Sequence, residues 1–244
     1  MTFDPFGDFE TRGYLRNVEN EKDPEIIRRL QHTAFTLGLD AAFKHLAARR
    51  RLEYGDVLKT HQILFEAFYP WAGQDRLRTA PGLIVKKGSV IFAAPLEIRR
   101  AIDFALLKGQ DKAFMTAKPG EVMGYLAFGH PFLDGNGRTI MTIHAMLAQR
   151  AGFSFDWSQT NKDDYLVALT HEIETPGEGI LDGYLKPFIR DPVSHEKLAE
   201  SVARTPGIDG GDVVTNEVLG DATEPSVKAQ YEAAVAKRKR AERE

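Results

Sequence analysis

The chain contains no cysteine, which excludes a disulfide scaffold, a thiolate metal site and a cysteine nucleophile. It also has no excess charge of one sign. Lys and Arg number 32 against 35 Asp and Glu, a formal charge of -3, so no whole-protein field favours nucleic acid as a ligand. No apolar run is long enough to span a bilayer. Residues 1–20 mix Asp4, Asp8, Glu10 and Arg12 with aromatics, unlike the apolar centre of a secretory signal. These absences predict a cytoplasmic protein with no membrane or nucleic-acid partner, although export through a C-terminal signal would escape that test. The histidines include no His-Glu-x-x-His spacing among His32, His45, His61, His144, His171 and His195, so no metal held by protein nitrogen is expected.

What is present suits one substantial core, with 244 residues of which 43% are hydrophobic. The periodicity predicts an all-α fold. Asp23-Pro24 reads as an N-cap followed by proline at the first helical position, and Ile26, Ile27, Leu30, Ala34 and Leu37 recur at helical spacing. Gly38 is expected to interrupt this helix. Further helical patterns cover 40–49, 56–68, 95–107, 120–129, 135–150, 162–173 and 180–189. The β-prone runs Leu83-Ile84-Val85 and Val90-Ile91-Phe92, around the polar Lys86-Lys87-Gly88-Ser89, predict a short hairpin.

From about Arg204 to Pro225 the chain is rich in Gly, Pro, Asp and Thr, with little apolar surface to offset the entropy of ordering. The expected organisation is an extension at 1–22 packed on the core, a domain at 23–203, and a flexible linker with a charged C-terminal helix at 204–244. The stretch 227–244, with the run Lys237-Arg238-Lys239-Arg240 diluted by Glu242 and Glu244, reads as a solvated, partly frayed helix.

The most informative stretch is His130-Pro131-Phe132-Leu133-Asp134-Gly135-Asn136-Gly137-Arg138, between two apolar helical patterns. Gly135 and Gly137 allow backbone conformations closed to other residues, so their N–H groups can converge on an anion. The helix that follows aims its positive end into the loop. Arg138 can donate paired hydrogen bonds to phosphate. Asp134 is a hard carboxylate suited to Mg²⁺, and Asn136 adds an amide for orientation. His130 can accept a proton near neutral pH. Together these groups read as a phosphoryl- or nucleotidyl-transfer site acting by positioning and charge stabilisation. It is neither a Walker loop nor a dinucleotide fingerprint. A plain helix-to-helix turn chosen for its glycines would not require His130, Asp134 and Arg138 at these spacings.

This stretch resembles the Fic signature His-x-Phe-x-Asp/Glu-Gly-Asn-Gly-Arg-x-x-Arg at every fixed position but the last, which is Met141 here. Tyr69-Pro70-Trp71-Ala72-Gly73 with Arg76 is similar to another segment of that family, the hairpin falls where the family carries its flap, and Asp4-Pro5-Phe6-Gly7-Asp8 also looks Fic-like.

The resemblance implies a Fic-fold helical bundle with a β-hairpin flap over the active site. It also implies a protein adenylyltransferase that moves AMP from ATP onto a Ser, Thr or Tyr hydroxyl of a target protein. His130 would be the general base and Asp134 the Mg²⁺ ligand. Gly135, Asn136, Gly137 and Arg138 would hold phosphates, and Phe132 would anchor the loop. Lys86, Lys87, Gly88, Ser89, Val90, Ile91 and Phe92 would dock the target, the hairpin edge pairing with it as an added strand. With Met141 the chain lacks the arginine expected on the γ-phosphate. A Doc-like kinase shares that lack but has Lys where Gly137 stands, which favours AMP transfer. A non-catalytic binding module would not need His130, Asp134 and Arg138 together. Neither Glu19-Asn20 nor Glu178-Gly179 follows a Ser or Thr at the spacing of the family's inhibitory motif, which leaves a separate small antitoxin or no such control.

Overall fold

In the computed structural model, which describes residues 4–7, 14–209 and 217–241, most of the chain is helical. Asp8, Glu10, Arg12, Glu242 and Glu244 lie outside the described residues, as does the middle of the expected linker. Helix α1 (Pro24–Ala47) begins where its cap predicts, with Asp23 Oδ1 accepting from the N–H groups of Glu25 and Ile26 at 2.8 and 3.3 Å. Its buried stripe is Ile27, Gln31, Ala34, Phe35, Leu39, Ala42, Phe43 and Leu46, while Ile26 and Leu37 are exposed.

Gly38 does not interrupt this helix. A β-carbon there would lie 2.7 Å from the Ile63 carbonyl and 2.9 Å from Leu64 Cα. The glycine lets α1 approach α2 (Tyr54–Phe65) closely, at a modest cost in helix propensity.

A short helix α3 (Arg76–Thr79) leads into the strands β1 (Leu83–Lys87) and β2 (Val90–Ile91), which form the expected antiparallel hairpin around Gly88 and Ser89. After a 3₁₀ turn at Pro95–Glu97 come α4 (Ile98–Gln110), α5 (Lys112–Ala117), α6 (Pro119–Gly129) and α7 (Asn136–Ala151). Helix α7 is the centre of the bundle, touching α1, α2, α4, α5 and α6, and is buried along most of its length. The small pair β3 (Ser154–Phe155) and β4 (Ile189–Arg190) brackets α8 (Lys162–Glu174) and α9 (Ile180–Leu185), and α10 (His195–Ala203) packs on α1 and α7. Among the described residues no helix is long and apolar enough to cross a membrane.

The C-terminal region departs from the linker expected of its composition. Residues Glu217–Asp221 form β5, which pairs antiparallel with β1 from Leu83↔Asp221 to Lys86↔Glu217, with an irregularity between Ile84 and Val85. The sheet order is therefore β2-β1-β5. Helix α11 (Pro225–Ala241) is not simply solvated. Val227 and Arg238 are buried, and the Tyr231 hydroxyl accepts from the Ala94 N–H at 3.0 Å and donates to Glu97. Arg238 donates to the Ile173 carbonyl at 2.5 Å and lies over the rings of Phe128 and Tyr125 at 4.3 and 5.2 Å. Its low apolar content misleads because long cationic side chains bury their stems while their heads pair with carbonyls and rings.

Candidate active site

The loop between α6 and α7 is built around a helix stop and a helix start. His130 ends α6 in the left-handed conformation (φ 40, ψ 59), and Gly135 caps α7 in the same region (φ 75). For Gly135 a side chain is excluded twice, by the positive φ and by the Phe65 ring, 2.6 Å from where a β-carbon would stand. Gly137 differs from expectation. It lies in the first turn of α7 with no positive φ, and a β-carbon there would meet nothing within 4 Å. Its contribution is open space over the helix amino end, where an anion would approach the N–H groups.

Phe132 is fully buried and stacks on His61 with centroids 3.7 Å apart. The Gly73 N–H donates to His61 Nδ1 at 2.8 Å, which leaves the ring proton on Nε2 to donate to the Asp134 carbonyl at 3.0 Å. Burial pushes the His61 pKa down to about 3, so this ring is neutral and holds the loop. Asn136 is turned inward, its amide donating to the Phe132 carbonyl at 2.7 Å and accepting from the Phe132 N–H at 2.8 Å. Its side chain is thus engaged within the loop, and only its backbone remains for a phosphate.

Asp134 is held from two sides. Its Oδ2 accepts from Gln31 Nε2 and from the Tyr69 hydroxyl, the latter at 3.0 Å, and Gln31 also donates to the Tyr69 oxygen at 2.5 Å. Its Oδ1 accepts from the Gly135 N–H at 2.6 Å and stands 4.0 Å from Arg138 Nη2. Arg138 is nearly buried, its guanidinium 4.8 Å above the Phe65 ring and 5.8 Å from that of Phe35. This aromatic bed presents the cation without competing strongly for its donors.

The His130 ring is 7% exposed and stacks on Phe92, at the end of the hairpin, with centroids 3.7 Å apart and planes 14° apart. Arg76, wholly buried, binds this corner together. Its Nε donates to the His130 carbonyl at 2.8 Å and its Nη2 to the Ala93 carbonyl at 2.7 Å, while its own N–H donates to the Pro131 carbonyl at 2.7 Å. Burial lowers the Arg76 pKa to about 10, which leaves the group a cation at neutral pH.

Lys87, on the hairpin, is also lowered by burial; the charge of Asp134 opposes that shift and Lys162 on α8 adds to it. Lys87 is thus a cation within electrostatic reach of Asp134 that sequence patterning did not single out as a phosphate partner. Met141 fills core space, 6% exposed, with the Thr205 hydroxyl donating to its sulfur at 3.5 Å. The segment expected to dock a target, Lys86–Phe92, carries the hairpin turn and β2, and the outer edge of β1 is already occupied by β5.

Residues 51–148 match the model of the Fic/DOC family. The chain is 29% identical over 168 residues to the protein adenylyltransferase VbhT of Bartonella schoenbuchensis, covering 66% of this chain but only 34% of that longer protein. It is also 29% identical over 165 residues to the probable protein adenylyltransferase y4lH of Sinorhizobium fredii, covering 64% of this chain and 81% of y4lH. The fold is similar to that of the BepC protein of Bartonella tribocorum, solved with bound AMPPNP (TM-score 0.63, 20% identity, 75% of this chain and 96% of that one). Residues 51–148, with the bundle and loop described above, are thus similar to the Fic/DOC family.

Proposed function

We propose that the protein is an adenylyltransferase that moves AMP from ATP to a Ser, Thr or Tyr hydroxyl of a target protein. The observation that carries this reading is the single short loop that joins a buried imidazole, His130, to a helix amino end with Asp134 and Arg138 beside it. The names of VbhT and y4lH support the same activity.

In this reading the target hydroxyl oxygen attacks the α-phosphorus and the bond from that phosphorus to the β-bridging oxygen breaks. Pyrophosphate leaves, and His130 takes the hydroxyl proton. The N–H groups of 135–137 and the Arg138 guanidinium hold the phosphates, at a cup that Gly137 keeps open. Among the described residues no three His, Asp or Glu side chains converge as a metal site. A divalent ion would therefore be held by Asp134 with phosphate oxygens and water, which is how Mg²⁺ is usually bound. Mg²⁺ would neutralise charge on the phosphates.

Because β1 is paired on both sides, a target strand would add to β2, the strand that leads into Phe92 and so to His130. A cytoplasmic site of action belongs to this reading, because ATP is its substrate. With no inhibitory glutamate motif in the sequence, control falls to a separate small antitoxin or is absent.

Incubation of a bacterial lysate with the protein and ATP labelled at the α- or at the γ-phosphate tests this reading. Label should reach protein from the α position only, with an added mass of AMP. Label from the γ position only would replace the reading with a Doc-like kinase, and label from neither would remove it.

A further inference from the structure

A polar network that the loop alone does not explain lies behind Asp134. Gln31 comes from the middle of α1 and Tyr69 from the turn after α2, and both meet one oxygen of a carboxylate far away in sequence. Gln31 is 6% exposed and Tyr69 1% exposed, so neither amide nor hydroxyl can exchange these bonds for water without opening the core. A glutamine in an otherwise apolar helix stripe (Ile27, Ala34, Phe35, Leu39) is costly unless its polar atoms are met. Here the Gln31 side-chain nitrogen serves both Tyr69 and Asp134.

The consequence for Asp134 is directional. With Oδ2 held by two donors at the core side, the carboxylate cannot turn freely, and Oδ1 stays over the amino end of α7. The Asp134 side chain is 41% exposed, so the carboxylate is not sealed in the core.

We propose that Gln31 and Tyr69 are positioning residues that fix the Asp134 carboxylate so that a single oxygen is offered to a divalent cation bound with the nucleotide. This rests on the adenylyltransferase reading, in which Asp134 is the protein's metal ligand. Hydrogen bonds to a ligating carboxylate from its outer partners typically change metal affinity about 10- to 100-fold when removed.

The test uses the whole chain, Mn²⁺ as the ion and a non-hydrolysable ATP analogue. Mn²⁺ binding is read by electron paramagnetic resonance, with nucleotide affinity measured separately in chelator. Tyr69→Phe keeps the ring that stacks on Trp71 at 4.2 Å, and Gln31→Met keeps the side-chain length. Each variant is expected to weaken Mn²⁺ binding at least about tenfold while metal-free nucleotide affinity stays within about twofold of wild type.

A role in packing alone would lower the unfolding midpoint and leave Mn²⁺ affinity unchanged, and that result overturns the proposal. Should one variant fail to fold, the other decides by the same criterion. Asp134→Ala separates the two levels of inference. Mn²⁺ binding that persists in Asp134→Ala contradicts the reading of Asp134 as the metal ligand. Binding lost in Asp134→Ala but unchanged in both positioning variants contradicts only the role given to Gln31 and Tyr69.

Discussion

The Arg76 guanidinium donates to the main-chain carbonyl of His130 at 2.8 Å. This bond crosses 54 residues of sequence and ties His130, at the start of the candidate loop, to the base of the hairpin through the Ala93 carbonyl. His130 is one of the described non-glycine residues with positive φ. Such a conformation persists only where its surroundings over-determine it, and Arg76 is the buried group that does so. Replacing it with methionine would orphan the His130 and Ala93 carbonyls, a loss of about 2 to 4 kcal/mol for two charge-assisted bonds. Denaturant unfolding of Arg76→Met measures this, and a loss below about 1 kcal/mol would show that the corner is held by packing alone.

Gly135 and Gly137 should respond oppositely to alanine. At Gly135 the positive φ and the Phe65 ring both oppose a β-carbon, so the variant should lose about 2 kcal/mol or more of stability. At Gly137 the space is open and the residue is helical, so alanine should leave stability unchanged or raise it by up to about 1 kcal/mol. The same methyl group would stand over the N–H groups proposed to receive phosphate and should weaken ATP binding. Thermal unfolding together with nucleotide titration checks both halves of this contrast.

Acid should destabilise the fold before the carboxylates titrate. Burial holds the His61 pKa down near about 3 and that of His144 near about 4, against an ordinary value of 6.5. A ring kept neutral in the native state contributes stability that is complete above 6.5 and is lost as pH falls toward the folded value, because only the unfolded chain takes up the proton. Below 6.5 each ring should remove up to about 1.4 kcal/mol per pH unit. Unfolding free energies measured from pH 7 to pH 5 should fall steadily, and a flat profile would mean that these rings are not neutral when folded.

The C-terminal strand and helix should behave as part of the domain. Arg238 is buried under two aromatic rings and donates to the Ile173 carbonyl, so Arg238→Ala should cost about 1.5 to 3 kcal/mol. The Lys86–Glu217 pair, at 2.9 Å but partly solvated, should contribute less than about 1 kcal/mol. Hydrogen exchange at Leu83–Lys87 should be faster in Arg238→Ala than in Glu217→Ala, and equal rates would detach α11 from the hairpin's stability.

The candidate loop was legible because its residues are close in sequence. His130, Asp134 and Arg138 are close in sequence, and the types and spacings alone imply an anion cup. Their supports were not legible, since Gln31, Tyr69 and Arg76 reach the loop only through tertiary contacts. Gln31 lies within a hydrophobic stripe, where period alone reads it as an interruption. Gly38 looked like a helix break because its reason is the backbone of another helix. Strand β5 has no alternating pattern to announce it, and it exists because β1 offers an unpaired edge. Asn136 was expected to face the nucleotide, yet its amide closes the loop from within.

The central claim is that one pocket both holds ATP and activates the incoming hydroxyl. His130→Ala, compared with wild type for transfer of α-labelled AMP to lysate proteins and for ATP affinity, tests it most directly. Loss of the base should reduce transfer about 100-fold or more while ATP binds with nearly unchanged affinity. Transfer at the wild-type rate in the variant would contradict the account.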